Sequence, residues 1–174
     1  MSSLPNDIPL PPAVQALIDK EEIRTVIYRF CRGSDRRIRD LVQSVYHPDA
    51  VDNHGSYNGP AKDFYDFVNS VPPVLCSHHH IGQTLIDLGE DGSTANAETY
   101  CTATTIDEVD GQHKWTTFLV RYIDKFEKRD GEWKITHRFV AFDGITDNTQ
   151  MNYLPKSSLG TRNEGDYSRK IFKD

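Results

Sequence analysis

Cysteine is scarce in this chain: Cys31, Cys76 and Cys101 are the only three in 174 residues, an odd number with no C-x-x-C spacing. A disulfide framework and a cysteine-rich zinc site are both excluded, and free thiols in a reducing cytoplasm are expected. Long apolar runs are missing too. None approaches the roughly 18 residues needed to span a membrane. The opening "MSSLPNDIPLPP" has neither the basic nor the apolar region of a secretory signal, so a cytoplasmic location is expected. Basic charge is in deficit, with 20 Lys and Arg against 26 Asp and Glu and a net charge of -6. A nucleic-acid face needs a dense cationic patch to displace counterions, and "RRIR" (Arg36, Arg37, Arg39) is too short to make one. No G-x-S-x-G, Walker or G-x-G-x-x-G pattern occurs, so triad hydrolase, P-loop and Rossmann readings have no support.

What remains suits one globular domain. The chain is 37% hydrophobic and 26% charged, and long enough to fold without a metal or disulfide. Residues 1–12 hold four prolines and no apolar period, and read as an extended arm. From Pro12, apolar residues at Val14, Leu17, Ile18, Ile23, Val26, Ile27 and Phe30 follow helical spacing, with a break expected near Asp19 and a stop at Gly33. Asp35 is positioned to cap a second helix, "RRIRDLVQSVY". "HPDAVDNHG" predicts a turn and a short strand, and "GPAKDFYDFVNSV" a third helix.

After Pro72-Pro73 the pattern changes to alternation. "SHHHIGQTLIDL", "TANAETYCTATTIDEV", "HKWTTFLVRYIDKFEKR" and "EWKITHRFVAF" are strand candidates, joined by the turn sequences "GEDGS", "VDGQ" and "RDGE". Helices followed by antiparallel hairpins give an α+β plan, with helices over one face of a curved sheet and a pocket between. The domain is expected to span residues 13–145, and 146–174 to form an irregular tail.

Three stretches carry a resemblance: "YRFCRGSDRR", "YHPDAVDNHGSYNGP" and "HHIGQTLIDL", with "YIDKFEKRDGEWKITHR" closing the order. Together they resemble the SnoaL-like branch of the NTF2-like superfamily, cone-shaped α+β barrels with a curved mixed sheet. That group includes scytalone dehydratase, a hexachlorocyclohexane dehydrochlorinase, bile acid 7α-dehydratases, polyketide cyclases and steroid isomerases. The β subunits of ring-hydroxylating dioxygenases share its fold without catalysing a reaction. The resemblance implies that an Asp after the first helix, here Asp35, pairs with a His before Ile-Gly, here His80, and that a last-strand arginine, here Arg138, assists. The position five residues before the Asp is Tyr or Lys in several catalytic members and is Phe30 here. Phe30 cannot donate a proton, so another residue must be the acid. Tyr28, Tyr46, Asn53, His54 and Tyr57 are the candidates by sequence neighbourhood, and with Phe30 and His78 they are the expected substrate contacts.

Strand alternation divides the histidine run. His78, His80, Gly82, Thr84 and Ile86 share one face, and His79, Ile81, Gln83, Leu85 and Asp87 the other. If His80 faces the pocket, His78 stands at its mouth, His79 points away, and Gly82 leaves room for a ligand. A neutral imidazole oriented by a carboxylate is a good general base near pH 7. His80 would take a proton from carbon while a leaving group departs, and no cofactor or metal is required. The expected function is therefore a lyase or isomerase acting on a small, largely apolar cyclic molecule. The alternatives are a polyketide cyclase-like enzyme and a non-catalytic binding or subunit-partner domain. Ile81, Leu85 and several Thr residues on the outer sheet face further predict a homo-oligomer, dimer or trimer.

Overall fold

The computed structural model describes residues 10–70, 74–146, 167, 170 and 171; most of the expected arm, the Pro72-Pro73 break and most of the tail lie outside them. Helix α1 (Pro12–Asp35) begins on a proline, which is suited to a first turn whose N–H groups have no helical partner. Its core face is the 3–4 spaced set Ile23, Val26, Ile27 and Phe30, all buried. Each such side chain contributes about 1.5–3 kcal/mol through burial. The break expected near Asp19 does not occur. Asp19 stays helical because the sheet supplies its partners: Trp133 Nε1 donates to its carboxylate at 2.9 Å and Lys128 Nζ at 2.8 Å.

Gly33 is not a stop either, since α1 runs on to Asp35. It is a contact point. A Cβ on Gly33 would lie 2.8 Å from Val42 Cγ2, so only glycine lets the short helix α2 (Arg39–Ser44) pack this closely. Between the helices Arg37 takes a left-handed φ of 54° and reverses the chain. Asp35 therefore does not cap α2, whose N-cap is Ile38 with no side-chain hydrogen bond.

Strands β1 (Tyr46–His54) and β2 (Tyr57–Pro60) precede helix α3 (Ala61–Val68). The long strands β3 (Cys76–Leu88), β4 (Thr94–Val109), β5 (Gln112–Arg129) and β6 (Glu132–Ile145) follow. The sheet order is β2-β1-β6-β5-β4-β3, open at both edges and antiparallel except for the β1–β6 pair. Asp110-Gly111 and Asp130-Gly131, all at positive φ, form the two-residue turns expected of "DG". Register shifts in the β1–β6, β3–β4 and β5–β6 ladders bend the sheet around α1. Its inner face gives Ala97, Cys101, Tyr122, Phe126 and Val140 to the core. On the outer face Phe139 stacks under Tyr167 with ring centroids 4.0 Å apart, beside Ile123 and Ala141.

Candidate active site

The end of α1 meets the start of β3 through a single carboxylate. Asp35 accepts hydrogen bonds from His79 Nδ1–H at 2.5 Å, the His79 backbone N–H at 3.0 Å and Ser77 Oγ at 3.0 Å. Burial pushes the Asp35 carboxyl up, but these donors outweigh it and hold the group below the usual carboxylate range. An ionised Asp35 fixes the proton on Nδ1 of His79. The ring's Nε2 is left with its lone pair for a molecule beside it.

The partner of Asp35 is thus His79, not His80, and a β-bulge is the reason. Ile81 opposes Cys101 and Thr84 opposes Thr99, so three steps on β3 match two on β4. The extra residue at Gly82-Gln83 reverses the alternation. Ser77, His79 and Ile81 face inward before it, and Thr84, Ile86 and Leu88 after it. Regular alternation traced back from buried Ile86 therefore selects the wrong histidine. Gly82 was the signal, because a glycine inside a strand often marks a bulge. Ile81, expected outside, packs against the core.

His79 lines a cavity of about 400 Å³, within the size range of small-molecule sites. Phe118, Val120, Tyr122 and Phe142 of the sheet form one wall, and Phe64 and Val68 of α3 another. Phe30 forms part of the lining, with its ring edge-on to His79 at 6.3 Å. Asn69, Val74 and Leu75 extend the lining beyond α3. Except for Phe30, these wall residues were missed as ligand contacts by sequence reasoning, because apolar core and apolar pocket share one pattern.

The other expected site residues separate. His54 lines the cavity, stacked on Phe64 at 4.5 Å. Tyr46 is buried below it and donates from its hydroxyl to Asp52 at 2.6 Å. Asn53 alternates to the opposite strand face from Asp52 and His54, and is not part of the lining. Tyr57 packs on Phe64 and Phe67, and its hydroxyl donates to the Pro60 carbonyl at 2.6 Å. Tyr28, His78 and His80 line a separate open groove between α1 and β3, reached also by Asp35 and His79.

Arg138 does not line the cavity. It is fully buried, donates Nε and Nη2 to the Asp124 carboxylate at 2.8 Å each, and stacks between Phe30 at 4.1 Å and Tyr122 at 4.3 Å. Burial disfavours its charge, but the Asp124 carboxylate outweighs that cost and Arg138 stays a guanidinium. It supports the wall from behind. Among the described residues no group of three or more His, Cys, Asp or Glu is arranged to hold a metal ion.

Comparison with known proteins gives a SnoaL-like domain match over residues 15–139. No curated protein matches significantly. Among solved structures, a provisionally named scytalone dehydratase from Novosphingobium aromaticivorans is 15% identical, with 79% of this chain and 93% of that one covered and a TM-score of 0.68. A type 2 hexachlorocyclohexane dehydrochlorinase is 18% identical, with 83% and 98% covered and a TM-score of 0.69. A provisionally named aromatic ring hydroxylase from Novosphingobium aromaticivorans is 19% identical, with 75% and 93% covered and a TM-score of 0.63. At these identities the likeness is one of fold, and the different reactions named show how little the fold decides.

Proposed function

The chain belongs to the SnoaL-like domain family, and from that premise we propose that it is a cofactor-independent lyase or isomerase acting on a small, largely apolar cyclic molecule. The observation that carries this reading is the Asp35–His79 pair set in an apolar cavity. His79 Nε2 removes a proton from carbon, and Asp35 stabilises the imidazolium that forms. In an elimination the C–H electrons become a C=C bond and the leaving group departs with its own pair. In an isomerisation the same proton returns to another carbon. The aromatic walls suit a ring system, and their low polarity strengthens the imidazolium–carboxylate attraction. The relatives that act as dehydratase and dehydrochlorinase by name make elimination the favoured branch.

The exposed outer face of the sheet, with Tyr100, Trp115 and Leu119, is read as the contact between copies of the chain.

The test is turnover of hydroxylated steroid, aromatic and polyketide-like ketones by wild type, His79→Ala and His80→Ala. His79→Ala should lower kcat by about 10²–10⁴-fold, and His80→Ala should leave it nearly unchanged. Loss confined to His80→Ala would overturn the assignment. The absence of turnover across the panel would favour a binding domain.

A further inference from the structure

A hydroxyl leaving group needs a proton as it departs, and Phe30 cannot supply one. Of the tyrosine, histidine and asparagine candidates near it in sequence, only His54 lines the cavity. The Tyr46 hydroxyl is committed to Asp52, that of Tyr57 to Pro60, and Tyr28 faces the separate groove. Two other tyrosines reach the cavity, but Tyr65 donates to the Arg37 carbonyl and Tyr122 is engaged with the Cys101 thiol.

We propose that His54, held by Asp52, is the acid that protonates the leaving group in the same cavity where His79 acts as base. His54 Nδ1 lies 3.3 Å from Asp52 Oδ1, and its ring is kept in place by Phe64. Its centroid and that of His79 both lie 6.3 Å from the Phe30 ring. The charge beneath it decides its protonation. Arg138, Asp124 and Asp52 are all fully buried, so one guanidinium faces two carboxyl groups. Burial pushes the Asp124 carboxyl up against the pull of Arg138. Half-buried His137, whose own pKa burial and Lys125 push down, adds no fixed positive charge. A buried excess of one negative charge is costly, and a protonated His54 beside Asp52 cancels it. The two imidazoles then differ by one proton. His54 carries Nδ1–H toward Asp52 and Nε2–H toward the cavity, while His79 carries only Nδ1–H toward Asp35.

The reaction balances on that difference. His79 Nε2 takes the proton from carbon and the C–H pair forms the double bond. The C–O bond breaks with its electrons on oxygen, and His54 Nε2–H passes its proton to that oxygen to give water. His54 ends neutral and His79 ends as imidazolium, so the charge of the site is unchanged, and solvent exchange restores the starting state. This inference rests on the elimination reading of the site.

The experiment compares a β-hydroxy cyclic ketone with its β-chloro counterpart, because chloride leaves without a proton. His54→Phe keeps the stacking on Phe64 and removes the acid. Its kcat should fall about 10²–10⁴-fold on the hydroxy ketone and change less than about threefold on the chloro ketone. An equal loss on both substrates, or no loss on the hydroxy ketone, overturns the role of His54 while leaving His79 untouched. Turnover insensitive to His79→Ala overturns the elimination reading instead. A second measurement needs no turnover. In ¹⁵N NMR of the whole protein at pH 7, both ring nitrogens of His54 should carry a proton, and one should lose it in Asp52→Asn. Neutral His54 at pH 7, with the proton on Asp52 or Asp124, refutes the proposal.

Discussion

Replacing Arg138 with Leu should be among the most damaging single changes in this protein. The guanidinium is fully buried, makes two 2.8 Å hydrogen bonds to an equally buried Asp124, and lies about 4 Å from two aromatic ring centroids. Its loss leaves Asp124 and Asp52 buried without a guanidinium. Breaking a buried pair by removing one partner costs about 3–5 kcal/mol. For a chain of this size each kcal/mol lowers Tm by about 2–4 °C, so a fall of roughly 6–20 °C is expected. Asp124→Leu should cost less, because Arg138 still faces Asp52 across Tyr46, with Nη1 3.4 Å from the tyrosine hydroxyl. The double variant should recover much of the loss of Arg138→Leu, since two apolar side chains can replace a buried pair at small net cost. Thermal and urea melts of all four proteins, followed by circular dichroism, complete the cycle. An Arg138→Leu fall below about 4 °C would match an exposed ion pair, worth about 0–1 kcal/mol, and would refute the argument.

Two further outcomes follow from the same geometry. Asp35 is held below its ordinary carboxylate value, so its stabilising effect is complete above that value and lost as pH falls through the lowered one. The urea midpoint of wild type should therefore drop below about pH 4, and Asp35→Asn should show a shallower acid limb; an identical limb would refute the ionised pair. Exposed Tyr100 and Leu119 on the outer sheet face predict that wild type sediments above its 19.9 kDa chain mass, and that Tyr100→Lys/Leu119→Lys sediments as a monomer. Sedimentation of wild type at the mass of one chain would remove that reading.

Much of the architecture was legible because it rests on periodicity. The 3–4 spacing from Ile23 to Phe30 reports the buried face of α1, and the alternation in β4, β5 and β6, punctuated by "DG" turns, reports three long strands. These are local properties of the chain, so the order of side chains specifies them directly. The continuity of α1 was not local. Asp19 looked like a break until Trp133 and Lys128, more than a hundred positions away in sequence, supplied its hydrogen bonds.

The site divides along the same line. Residue type alone marked the histidine run, because it says which groups can hold or move a proton, whereas Asp35 and the missing donor at Phe30 were marked by the family resemblance. Which histidine meets Asp35 depends on one extra residue in the β3–β4 ladder, and a bulge exists only relative to a partner strand. Arg138 shows the converse. The chain places an arginine in the last strand, but only the packing of Phe30, Tyr122 and Asp124 around it makes that arginine a buried support rather than a group facing the substrate.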